Sequence, residues 1–221
     1  VANELEKAPK EPKKFNAAVQ KLLQKMIREN DRVIFNGDNY SAAWRKEAAR
    51  RGLPNATSTP EAIEAMNCKE TYEVFAKYGV LSHREAESRF EIYREKYVKD
   101  VVIESKLALN IAKTMVFPSG VKYQQLLAQT VASLSSVGKS SCTTTLDELD
   151  SLLADLQKAM KTLEKVSEIP EGLSAKKQCY YLHDTVIPAM VEIRKFSDAI
   201  EHLCADDIWV LPTYQEMLFI R

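Results

Sequence analysis

The chain has 221 residues, 31 Lys plus Arg against 31 Asp plus Glu, and 45% hydrophobic residues, which is enough to bury a full core without a disulfide or metal staple. With no net charge it lacks the basic field on which nucleic-acid binding depends, so no nucleic-acid partner is expected. No apolar run approaches the roughly 18 residues that cross a bilayer and no charged-then-apolar leader is present, so no membrane partner is expected and the setting reads as cytoplasmic.

The four cysteines, Cys68, Cys142, Cys179 and Cys204, are widely spaced, with no Cys-x-x-Cys and no His at zinc-finger distance. They read as reduced structural thiols. Ala2 to Ala8 reads as part of a helix, and Lys7 to Lys14, polar and proline-punctuated, as a solvated linker. A helix follows with Asn16 as its N-cap and Val19, Leu22, Leu23, Met26 and Ile27 on one stripe. Arg32 to Phe35 reads as a short extended run ending at a turn on Gly37.

Ser41 caps a short helix with Trp44 and Ala48 inward, closed at Gly52 by a left-handed residue. Thr59 is the expected N-cap of another helix, with Pro60 at its first position. Ser82 and Glu85 form a capping box with Leu81 as staple, starting a long helix. Its stripe runs Ala86, Phe90, Tyr93, Tyr97, Val101, Ser105, Ala108, Ile111 or Ala112, and Met115, with a kink or interruption expected at Pro118 and Gly120. The stripe resumes through Tyr123, Leu127, Val131 and Leu134 up to Gly138.

Thr145 and Glu148 read as a second capping box. Beyond it Leu146, Leu149, Leu153, Leu156, Met160 and Leu163 make a bundle seam. After Pro170 to Gly172 another stripe runs Cys179, Leu182, Val186, Met190, Ile193, Ser197, Ile200 and Cys204, and Pro188 predicts a kink near Asp184. Thr213 and Glu216 make a third capping box for a short final helix.

The fold class is therefore all-α: an antiparallel bundle of long, partly kinked helices, with a lobe of short helices and a docked C-terminal helix. The expected organisation is 1–14 as an upstream helix end plus linker, 15–80 as the lobe, and 81–221 as the bundle with its docking segment, 15–221 forming one structural unit. The apolar ending reads as a docking device, because terminal segments stay ordered only when tied down. The interface residues it nominates are Trp209, Leu211, Tyr214, Met217, Leu218, Phe219 and Ile220.

No pattern carries chemistry. Val137-Gly138-Lys139-Ser140-Ser141 ends like a phosphate loop, but a Walker A needs Gly where Ser133 stands. A carboxylate-bridged metal pair needs Glu-x-x-His, and the residues three before His83, His183 and His202 are Val80, Tyr180 and Ala199. His183-Asp184 reads as a polar surface or capping pair because adjacent helical side chains diverge, and Asp206-Asp207 as a cap or turn. Tyr93, Tyr97 and Tyr123 sit at core spacing. No catalytic, metal or cofactor-binding residue is assigned.

Several blocks resemble the C-terminal part of type III glutamine synthetases: Arg32 to Ser41, Arg51-Gly52-Leu53-Pro54-Asn55, Lys77 to Ser82 with Glu85 and Glu87-Ser88-Arg89, His183-Asp184 with Ile187 to Met190, and Ala205 to Arg221. The resemblance implies a parent enzyme that joins ammonia to glutamate using ATP and Mg or Mn ions. It places those sites in a catalytic domain upstream of Val1, so this chain alone is expected to be inactive. It implies that domain and a homo-oligomer of the parent as partners, and a supporting role in folding or assembly. The alternatives are a regulatory or partner-binding helical module, suggested by the Leu146 to Leu163 seam, and an unrelated helical scaffold.

Overall fold

A computed structural model describes residues 2–218. Among them the regular structure is helical and no strand is present. The chain divides into two compact units, Val1–Thr57 and Ser58–Arg221.

The first unit contains α1 (Ala2–Leu5), α2 (Pro12–Glu29), a 3-10 turn (Asp31–Val33) and α3 (Ala42–Arg50). Helix α2 starts ahead of the Asn16 cap expected from sequence, because Pro12 occupies its first turn, where a missing N–H costs nothing. The Arg32 to Phe35 run is not a strand: its first half closes the 3-10 turn, and Ile34 follows in extended conformation. Arg51 holds that turn, its Nη1 donating to the carbonyls of Arg32 at 3.0 Å and Ile34 at 2.6 Å. Ser41 caps α3 through the Trp44 amide, and Gly52 closes the helix at φ 67°.

The second unit begins with α4 (Thr59–Met66) and α5 (Lys69–Lys77), both packed on α6 (His83–Ile111). The N-cap of α4 is Ser58, one residue before the expected Thr59, since Ser58 and Glu61 complete a reciprocal capping box. The box at Ser82 and Glu85 starts α6 as the spacing predicts. Phe90, Ala86 and Ile63 form a small core there, flanked by Tyr72, Phe75 and Leu81.

Helix α6 does not break at Pro118 or Gly120. A wide turn with i→i+5 bonding, Ala112–Val116, carries it directly into α7 (Phe117–Ser136). Pro118 has no N–H to give and its ring crowds the preceding turn. Widening that turn by one residue lets the Phe117 amide donate to Ala112 instead. The helix thus runs from His83 to Ser136, roughly 80 Å at 1.5 Å per residue.

Helix α8 (Thr144–Val166) returns along it. Lys113 pairs with Glu164 and Gln124 with Asp150, so the partner index falls as the first rises and the two are antiparallel. The expected Thr145 box is absent: the N-cap is Thr143, two residues earlier, its hydroxyl donating to Asp147 at 2.9 Å.

The third long element is α9 (Ala175–Tyr181), a second wide turn (Leu182–Val186) and α10 (Ile187–Leu203). Pro188 produces that turn by the same mechanism, at the place where the sequence predicts a kink. Tyr181 donates to the Val166 carbonyl at 2.9 Å, whereas Ile200 lies level with Leu153 across Gly120. This makes α10 antiparallel to α8. The seam of α8 is core, with Leu149, Leu156 and Leu163 fully buried against Leu182, Val186 and Ile200.

At Gly120, α7 lies close against both α8 and α10. A Cβ there would lie 2.7 Å from Leu153 Cδ2 and 3.3 Å from Ile200 Cγ2, so the glycine is set by packing rather than by a turn.

Candidate functional site

The C-terminal segment leaves α10 through a turn over Asp206 to Ile208, where the Ile208 and Trp209 amides both donate to the Ala205 carbonyl. Its last described element is α11 (Tyr214–Leu218), started by the Thr213 and Glu216 box. Trp209 enters the main core and Leu211 packs half-buried beside it, so the segment is anchored on its own bundle at these two positions. The Trp209 indole N–H is buried without an acceptor among the described residues.

The other nominated residues are placed differently. Met217 is 50% exposed and Leu218 75% exposed. The side chain of Tyr214, and Phe219 and Ile220 altogether, lie outside the described residues. The segment therefore has an inward anchor at Trp209 and an outward apolar end at Met217 and Leu218.

Sequence reasoning missed a polar cluster joining α4, α6 and α9. Arg94, 6% exposed, sits on α6 one residue beyond the expected Tyr93, which is itself exposed. Its Nε and Nη2 donate to Glu64 Oε1 at 3.0 and 2.6 Å, its Nη1 pairs with Glu91, and Lys176 reaches the other Glu64 oxygen at 2.6 Å. Burial raises the Glu64 pKa, but the bonds from Lys176 and Arg94 outweigh it and hold the carboxylate below its usual range. The Cys179 thiol, pushed up by burial, donates to the Arg94 carbonyl at 3.6 Å. Every charge in this cluster has a partner, so it is a clamp rather than a reaction centre.

His183 and Asp184 do meet, Nδ1 to Oδ1 at 2.6 Å, although neighbouring helical side chains ordinarily diverge. Both are substantially exposed, and they lie in the wide turn before Pro188. Gly138 closes α7 at φ 75°, which makes Val137 to Ser141 an ordinary inter-helix loop. The four cysteines are free, and burial pushes the Cys204 thiol up to about 11. No group of three or more metal-ligating side chains occurs among the described residues, and no helix there is long and apolar enough to cross a membrane.

Comparison with known proteins gives these helices a family. Residues 18–135 match the family described as glutamine synthetase C-terminal domain. The chain is 33% identical over 213 residues to a type-3 glutamine synthetase of Dictyostelium discoideum, covering 92% of this chain and 29% of that protein. It is 31% identical over 206 residues to a glutamine synthetase of Butyrivibrio fibrisolvens, covering 91% and 29% respectively. A glutamine synthetase of Bacteroides fragilis (strain YCH46) is 29% identical over 215 residues, again covering 92% of this chain and 29% of its own length. The chain thus spans under a third of the length of each of these relatives. An all-α architecture and a family match that runs from within α2 to residue 135 of α7 converge on one assignment: the chain belongs to the glutamine synthetase C-terminal domain family.

Proposed function

We propose that this chain is the non-catalytic helical domain of a glutamine synthetase and supports the folding or oligomer assembly of its parent. In this reading the parent makes glutamine from glutamate, ammonia and ATP. The ATP and the Mg or Mn ions are held by the upstream catalytic domain, which is this domain's partner together with further copies of the parent. No residue of this chain is assigned to that chemistry.

The observation that carries the proposal is α2. Its stripe of Val19, Leu22, Leu23, Met26 and Ile27 is that of a helix built to be covered, yet α2 has no buried residue, and Leu23 and Ile27 are 51% and 56% exposed. An amphipathic helix gains its stability from burying that face. Met217 and Leu218 present a second apolar surface.

The test is Leu23→Asp with Ile27→Asp in the full-length enzyme, measured by light scattering and melting. Loss of assembly or a lowered melting temperature is expected. Unchanged mass and melting would sink the proposal, as would glutamine formation by this chain alone with ATP, glutamate, ammonia and magnesium. The alternative of a partner-binding module loses its original motive, since the α8 seam that suggested it is buried.

A further inference from the structure

Between α6 and α10, with the C-terminal segment as its third wall, lies a groove of about 760 Å³. Its floor is apolar: Ile111, Val116, Met190 and Ile193 from the helices, Trp209 and Leu211 from the segment. The space exists because alanines stand at 108 in α6 and at 112 in the wide turn that follows it, about one turn apart on the groove side, where a larger side chain would fill it. Ala112 and Val116 also bound the wide turn ahead of Pro118, and such turns recur at binding sites. A cavity of this size with an apolar floor and a few polar groups on one side suits a small organic ligand.

The polar side comes from one face of α10, where Arg194, Asp198 and Glu201 recur at steps of four and three. Arg194 Nε donates to Asp198 Oδ1 at 2.6 Å, so that guanidinium is already engaged. Glu201 is half-buried and has no ion pair among the described residues. His202 lies beside it, its Nδ1 at 2.6 Å from the Asp198 carbonyl. Among the described lining residues two carboxylates stand against one engaged guanidinium, a balance that disfavours a carboxylate or phosphate ligand and favours a cation.

We propose that this groove binds a small amphipathic amine, its ammonium on Glu201 and Asp198 and its hydrocarbon body on Trp209, Met190 and Ile193. An ammonium supplies three donors to carboxylates in a partly desolvated setting, where a charge-assisted bond is stronger than at an open surface. The body would cover the apolar surface that half-buried Ile111, Met190 and Leu211 still leave open. Because the C-terminal segment forms one wall, occupancy ties that segment more firmly to the bundle by mass action.

The chain has two tryptophans, so Trp44→Phe leaves Trp209 as the sole reporter. In that background 2-phenylethylamine is titrated while the Trp209 emission is followed, with 3-phenylpropionate and 2-phenylethanol as anionic and neutral probes of similar body. A saturable change is expected for the amine, with binding at least about tenfold weaker for the carboxylate, the worth of one charge-assisted bond. Glu201→Gln should weaken the amine several-fold while leaving the neutral alcohol unchanged, and Ala108→Leu should abolish binding of all three. Should Trp44→Phe or Ala108→Leu fail to fold, ligand-observed NMR on the unmodified chain and on Glu201→Gln gives the same comparison. No saturable signal, equal binding of all three probes, or binding that emerges only when residues 219–221 are deleted would each overturn the proposal.

Discussion

Helices α2 and α8 carry the same kind of sequence and meet opposite fates. Both place large apolar side chains at steps of three and four with charge on the far face. Yet α8 buries Leu149, Leu153, Leu156, Ala159, Met160 and Leu163, and α2 buries none. The difference lies in neighbours. Helix α8 is flanked by α7 and α10, which run antiparallel to it, and α10 and the wide turn before it bring Ile200, Val186 and Leu182 onto its seam. Periodicity reports that a helix has a face to hide; it does not report whether the surface that hides it belongs to the same chain.

The sharpest way to test that contrast is to cut the α8 seam. Leu156 is fully buried, and Leu156→Ala should destabilise the chain by about 2–5 kcal/mol, the sum of lost transfer energy and a cavity that bundle neighbours cannot collapse into. Equilibrium denaturation in urea measures it. A loss below about 1 kcal/mol would mean that the seam is not the core. A smaller effect comes from overfilling. Gly120→Ala drives a methyl group against Leu153 and Ile200. Overpacking costs about 1–3 kcal/mol, partly offset by the ~1 kcal/mol that alanine gains over glycine in a helix. A net loss is expected, and a net gain would show that α7 and α8 can move apart.

Between the two extremes stands α4, held to α6 and α9 partly by ions rather than wholly by apolar contact. Glu64 ties Arg94 to Lys176. Its carboxylate is held below the usual 4.5 in the folded chain, so its contribution is fully present above that value and lost as pH falls through the folded pKa. Chain stability measured from pH 6 down to pH 3 should therefore fall more steeply than in Glu64→Gln, the two curves converging in acid. Parallel curves would show that the clamp adds nothing.

Much of this was legible in the sequence wherever a local rule has a single outcome. Ser82 with Glu85 and Thr213 with Glu216 are two-way hydrogen-bond pairs that close at one spacing only, and both are formed. Where two residues compete, the reading slipped: Ser58 and Thr59 both suit a cap, but only Ser58 stands three residues before Glu61. At α8 the Thr143 to Asp147 pair displaced the expected Thr145 box. Prolines announced a disturbance without its form. Pro188 predicts a kink, and Pro118 with Gly120 a kink or an interruption; at each proline the turn before it is widened and the helix continues.

Arg94 was hidden for a different reason. A charge breaks an apolar stripe on paper, and its burial depends on Glu64 and Lys176, which lie on two other helices far along the chain. Within the docking segment, apolarity marked Trp209 and Leu218 alike. Only packing separates a side chain sunk in the bundle from one that is 75% exposed.

The smallest effect is also the one that decides what α2 is for. In this chain alone, Leu23→Asp with Ile27→Asp alters two side chains that are already more than half exposed. Surface changes of this kind move stability by about 0.5 kcal/mol or less, so the melting curve should stay where it is. The same pair in the full-length enzyme removes a hydrophobic contact and leaves charges to be desolvated, which costs about 2 kcal/mol or more if the stripe is covered there. A null result in the isolated chain with a large one in the parent would mean that α2 and α8 differ only in where their partners are encoded. A large result in both would mean that α2 already has its partner within these 221 residues, and the contrast with α8 would collapse.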